Sequence, residues 1–135
     1  MALAIKKLRG MTAELEAKLK AHGLDDSDKL FNTVLTAQAR EALAKELGVA
    51  TNVIVELANR ADLARIKGVA GVYGDLLEEA GVDTVKELKG RQPDNLCAKL
   101  AEVNAVKHLT PKPPSLKNVQ TWVSLAKRRR KFLQY

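Results

Sequence analysis

The chain has 135 residues, 46% apolar and only 4% aromatic, enough for one domain or two small, closely packed halves rich in helix. Its apolar runs stay short of the ~20 residues that a membrane span needs, and its N-terminus lacks the apolar stretch of a signal peptide. A single cysteine, Cys97, excludes an internal disulfide and is typical of a reducing compartment. We therefore expect a cytoplasmic protein that does not enter a membrane.

The net charge of +7 is concentrated near the end of the sequence. Residues 105–135 contain eight lysines or arginines and no acid, which leaves 15 basic and 16 acidic residues in the preceding 104. The run KRRRK is typical of segments that attract nucleic acid or an acidic partner, although a solubilising, frayed end has the same composition. The basic residues of this run are Lys127, Arg128, Arg129, Arg130 and Lys131.

The sequence contains an internal repeat. A shift of 58 residues aligns residues 5–30 with residues 63–88 without a gap and places Gly10 on Gly68. Apolar positions align with apolar positions, so we expect one helical unit to be used twice. Farther along, the second copy needs eight extra residues in a proline-rich connection around residues 107–114, where helix is excluded.

In the first unit, Gly10 is predicted to make a tight turn into a helix that Gly23 ends. Thr36 is the expected N-cap of a helix that runs to about Leu47. A further helix is expected at roughly residues 52–59, where apolar residues recur at helical spacing.

In the second unit, residues 67–70 are predicted to make the turn, and helix resumes from about Gly71 to Ala80. Three further helices are expected, one opened by a capping box at Thr84, one at residues 95–104 behind Asp94, and one from Ser115 to about Lys127. The prediction is an all-α protein of about eight short helices with a shared Leu/Val core. Its parts would be a first unit at 1–60, a second unit at 61–126 and the basic tail at 127–135.

The stretch IKGVAGVYGDLL, residues 66–77, resembles the helix-hairpin-helix motif, whose hairpin usually runs apolar, any, Gly, apolar, Gly, and then helix. With residues 58–63, 78–85, 98–104 and the Pro-Pro-Ser-Leu segment at 113–116, the chain resembles a bacterial family of helix-hairpin-helix proteins catalogued as a domain of unknown function. This resemblance covers roughly residues 35–127. It implies two tandem helix-hairpin-helix-type units packed as one compact domain, and it implies no activity.

In the intact motif, backbone N–H groups of the glycine turn and of the next helix bind a DNA phosphate at the positive end of the helix dipole. Such contacts carry no sequence information. The resemblance therefore implies phosphate contacts from Arg65, Lys67, Gly68, Val69, Ala70 and Gly71, although close packing is the alternative reason for the glycines.

This chain departs from the motif in both copies. The second hairpin glycine is Ala70 here and Thr12 in the first copy. Because Glu14 puts a carboxylate where a phosphate would bind, we expect the first hairpin to be structural. In the second copy, Asp75, Glu78 and Glu79 make the following helix acidic, which weighs against phosphate binding.

We therefore expect a non-catalytic protein that binds duplex or single-stranded DNA, without sequence preference, through the second hairpin and the basic tail. The alternative is a protein-interaction module with no nucleic-acid role, whose tail binds an acidic partner. The sequence has no P-loop or nucleophile elbow, and no cofactor or metal is expected, since His22 and His108 lack companions at ligand spacing. The apolar stripe of the last helix ends at Ala126, so the tail is expected to be dispensable for folding.

Overall fold

The computed structural model describes residues 2–135, so only the first residue of the predicted first unit lies outside it. Within these residues the chain forms eight α-helices and no strand, which confirms the predicted all-α class. None of these helices combines the length and the apolar character that a membrane span requires. The helices are α1 Ala13–Ala21, α2 Ser27–Thr33, α3 Ala37–Leu47, α4 Thr51–Leu63, α5 Val72–Glu79, α6 Val85–Lys89, α7 Pro93–Lys107 and α8 Leu116–Lys127.

Side-chain caps fix where several helices begin. The Thr36 hydroxyl accepts from the Ala39 N–H at 3.1 Å, as predicted. The Thr84 hydroxyl accepts from the Glu87 N–H at 3.1 Å, which is one half of the predicted capping box. Ser115 opens α8 with a complete capping box. Each cap satisfies an N–H group that has no acceptor within its own helix.

Two helices are longer than predicted. Helix α7 begins at Pro93 rather than after Asp94, because proline in the first helical turn loses no hydrogen bond there. Helix α4 continues past Asn59 to Leu63 and brings Arg60 and the buried Asp62 into its last turn.

The repeat in sequence is also a repeat in local structure. The 58-residue shift maps α1 onto residues 71–79, which match α5, and maps the start of α2 onto the start of α6. Gly10 and Gly68, which precede the paired helices, have φ angles of 91° and 90°.

The buried apolar side chains of the described residues form two clusters rather than the single shared core that we expected. The first extends from Ile5 to Ala61 and the second from Leu63 to Ala126. The boundary falls within α4, so this helix contributes apolar side chains to both units. The two units are joined by α4, by the ion pair between Arg9 and Asp75, and by segments outside the repeat.

The basic tail is one of those segments. It leaves α8 in the second unit, where Phe132 packs against the second cluster. Leu133 then inserts into the first cluster and is only 4% exposed. The expectation that the tail is dispensable for folding is therefore wrong, because removal of residues 127–135 would open the core of the first unit.

Hydrogen bonds fix the end of the tail against the first unit. The Gln134 N–H donates to the Leu35 carbonyl at 2.8 Å, and the Gln134 carbonyl accepts from the Arg40 guanidinium. The Tyr135 hydroxyl contacts the Asn59 side chain. The tail thus crosses from one unit to the other as an ordered strap.

Candidate nucleic-acid interface

The segment that the sequence predicted as a hairpin lies between α4 and α5. Gly68 and Gly71 have φ angles of 90° and 79°, which side-chain-bearing residues rarely adopt. A Cβ atom on Gly68 would lie 3.2 Å from Nε1 of Trp122 on α8. Val69 between them is fully buried. The packing explanation therefore holds for Gly68, and α8 supports the turn from behind.

The N-terminus of α5 is open. Gly71 occupies its N-cap position, and no side chain within residues 2–135 caps it. The equivalent helix of the first unit, α1, is capped by the Thr12 hydroxyl, which accepts from the Leu15 N–H at 3.2 Å. Lys67, Ala70 and Gly71 are exposed around the open end. Within residues 2–135, no side chain accepts from the N–H groups at the start of α5, whereas a hydroxyl does so at the start of α1.

The acids of α5 are neutralised by nearby cations. The Arg60 guanidinium lies 2.7 Å from the Asp75 carboxylate and 3.1 Å from the Glu78 carboxylate. Glu79 lies 3.7 Å from the Lys107 ammonium group. The acidic character of this helix, which weighed against a phosphate in the sequence, is therefore offset in the folded chain.

Gly74 permits this arrangement. A Cβ atom there would lie 2.8 Å from Nη2 of Arg60 and 2.8 Å from the Val69 carbonyl oxygen. Only glycine lets the buried guanidinium cross this face of α5. Gly74 therefore accommodates the preceding helix, α4.

Arg65 is not placed as predicted. Its Nε and Nη2 atoms lie 3.0 and 2.6 Å from Oδ1 of Asp62, and its guanidinium lies 3.9 Å from the centroid of the Phe31 ring. Its side chain is only 11% exposed. The Arg65 guanidinium is therefore engaged by groups within the protein, and Arg65 is not a phosphate ligand in the interface considered below.

Arg65 instead joins the hairpin to the basic tail. Nη2 of Arg129 donates to the Arg65 carbonyl oxygen at 2.7 Å, and Nη2 of Arg65 donates to the Lys131 carbonyl oxygen at 2.8 Å. Since Lys67 follows Arg65 by two residues, these bonds bring the predicted hairpin segment and the predicted tail segment together.

The remaining predicted cations are exposed. Within residues 2–135, none of their side chains takes part in an ion pair. An anion from outside would therefore meet no competing carboxylate at these groups. They are Lys67, Lys127, Arg128, Arg130 and Lys131.

Sequence reasoning missed the role of Asp62. This carboxylate is fully buried, and its Oδ2 accepts from the Val85 N–H, at the start of α6, at 2.8 Å. Burial raises the pKa of Asp62, whereas the Val85 N–H and the Arg65 cation oppose that rise. The sequence did contain a signal for this role. Asp62 lies among the apolar residues of 61–64 and three positions before Arg65, a spacing at which an acid and an arginine can pair on a helix.

Comparisons with known proteins identify a family and no activity. Neither the curated proteins nor the solved structures contain a match to this chain. The family described as Domain of unknown function (DUF4332) matches residues 9–129, a wider range than the residues 35–127 expected from the sequence. The chain therefore belongs to the DUF4332 family of domains of unknown function.

Proposed function

We propose that this protein binds the phosphate backbone of nucleic acid, without catalysis and without sequence preference. The interface would combine the turn at Lys67–Gly71 with the tail at Lys127–Lys131. The observation that supports this proposal is the pair of hydrogen bonds that joins Arg65 to Arg129 and to Lys131. These bonds hold two segments, each suited to an anion, beside one another.

The two repeated units are of the helix-hairpin-helix type in this proposal. In the second unit, a phosphate oxygen would accept from N–H groups at the open start of α5, while nearby cations lower the cost of bringing the charge there. The first unit would have a structural role, because the Thr12 hydroxyl already caps α1. Phosphate contacts of this kind position a protein on nucleic acid and do not distinguish bases.

The test measures affinity for labelled duplex and single-stranded DNA by fluorescence anisotropy between about 50 and 200 mM salt. The logarithm of the association constant is plotted against the logarithm of the salt concentration. If about five phosphates are neutralised, the slope for duplex DNA should be about −4 to −5. Duplexes of unrelated sequence should bind equally well. A complete lack of binding at the lowest salt would contradict the proposal.

Two double variants with the same net charge distinguish a local interface from general attraction. Arg128→Gln with Arg130→Gln should reduce the magnitude of the slope by about two, one for each lost phosphate contact. Lys20→Gln with Lys99→Gln removes two exposed cations outside the turn and the tail, so the slope should not change. Equal losses in both double variants would exclude the proposed interface.

The alternative function is an interaction with an acidic protein partner through the same cations. A labelled poly-glutamate peptide tests it under the same conditions. Binding of this peptide by a protein that binds no DNA would favour the alternative.

A further inference from the structure

A groove of about 600 Å³ lies along the basic tail. Cations line it from two elements, Lys86 on α6 and Arg130 and Lys131 on the tail. Two aromatic rings, Phe132 and Tyr135, also line it, and none of the described residues that line it is an acid. The groove therefore offers both cations and aromatic surface to a ligand.

Tyr135 is the exposed ring of this groove. It is 72% exposed, yet contacts with two residues of the first unit hold it in position. The Arg40 guanidinium lies 4.5 Å from the centroid of its ring, and its hydroxyl contacts the Asn59 side chain. Arg40 is itself buried and donates to the Val34 carbonyl at 2.9 Å. A ring held in this way loses little conformational entropy when a flat ligand stacks on it.

Phe132 has a different role. It is only partly buried but packs against the second cluster, and the Lys89 ammonium group lies 4.8 Å from the centroid of its ring. This ring is a wall of the groove. Tyr135 is therefore the aromatic surface that a ligand would use.

We propose that this groove binds single-stranded nucleic acid, with a base stacked on Tyr135 and phosphates at Lys86, Arg130 and Lys131. The inference rests on the proposed function and names its preferred substrate. Cations beside an exposed, fixed aromatic ring suit a strand whose charged backbone and flat bases are both accessible. Bases inside a duplex are already stacked on one another, so a duplex would use only the cations.

The test compares two labelled single strands with the same number of phosphates, an oligothymidine and an abasic oligomer. On the unaltered protein, anisotropy should show oligothymidine binding about tenfold more tightly, which corresponds to one stacked base. Tyr135→Leu should abolish this difference, and Tyr135→Phe, which keeps the ring, should retain most of it. Thermal melting of both variants checks that the fold survives.

The outcomes separate this inference from the proposed function. Equal affinity for the two oligomers on the unaltered protein would overturn the inference and leave phosphate binding intact. A preference that persists in a folded Tyr135→Leu protein would also overturn it. If neither oligomer nor duplex binds, the proposed function itself fails.

Discussion

The Arg60 guanidinium lies 2.7 Å from the Asp75 carboxylate and joins α4 to α5 across the glycine turn. The same guanidinium donates to Glu78 at 3.1 Å and to the Gly71 carbonyl at 3.2 Å. Arg60 is only 7% exposed, so its guanidinium is shielded from water, whereas the Glu78 side chain is 40% exposed. One buried cation therefore fixes the direction in which α5 leaves the turn.

Replacement of this cation should be costly. Arg60→Met removes the partner of two carboxylates and a carbonyl, so we expect the free energy of unfolding in urea to fall by about 2–4 kcal/mol. The control is Arg9→Gln, which removes a half-exposed cation 3.4 Å from the same Asp75 carboxylate. It should cost less than about 1 kcal/mol. Equal losses would mean that burial of Arg60 adds nothing.

Gly68 should tolerate no side chain. Gly68→Val forces a β-branched residue to a φ of 90° and places its Cβ 3.2 Å from Nε1 of Trp122. We expect a loss of at least about 1–3 kcal/mol in the free energy of unfolding. Gly90→Ala is the control, since Gly90 has a φ of −87° and ordinary space around it. An unchanged melting temperature for Gly68→Val would exclude the tight turn.

The tail should contribute to stability through Leu133, which lies in the first cluster. Leu133→Ala leaves a cavity in the first cluster and should lower the free energy of unfolding by about 2–5 kcal/mol. Gln134→Ala is the neighbouring control, because Gln134 contacts the first unit through its backbone N–H and carbonyl. Calorimetric melting of both variants decides the matter. Two unchanged melting temperatures would mean that the tail is not docked in solution.

Asp62 should make stability depend on pH. Burial raises its pKa, so the folded chain keeps a proton that the unfolded chain releases at the ordinary value of 3.8. Its contribution to stability is therefore fully present below that value and is lost as the pH rises through the folded pKa. The difference in unfolding free energy between the unaltered protein and Asp62→Asn should decrease from acidic to neutral pH. An increase would show that pairing with Arg65 outweighs burial.

Local signals in the sequence predicted much of the fold. The hydroxyls of Thr36, Thr84 and Ser115 begin helices where their positions indicated, because a cap acts on residues only three positions away. The glycine turns were also predictable, since the 58-residue repeat places Gly10 and Gly68 at equivalent positions. Both adopt a positive φ angle. The boundaries of α4 and α7 were less accurate, because helix propensity changes little across their ends.

The candidate site depends on contacts between residues far apart in the sequence, which local sequence patterns do not predict. Arg65 has a side chain of the type that binds phosphate. Its guanidinium instead donates to Asp62 and lies over the ring of Phe31, which is far away in sequence. The tail was expected to be dispensable for folding because charged residues dominate it, and the single Leu133 after them formed no apolar pattern. Only the folded chain shows that this leucine has a place in the first cluster.

Leu133 also sets an order of events during synthesis. Ribosomes extend a chain from its N-terminus, and N-terminal parts usually fold first. Here the first cluster spans residues 5–61 and yet includes Leu133, which follows the whole second unit in the chain. The first unit therefore cannot complete its core while the second is still being made. The first unit reaches its final packing only after Leu133 has been added. The two units therefore complete their folding together, although each has most of its own core.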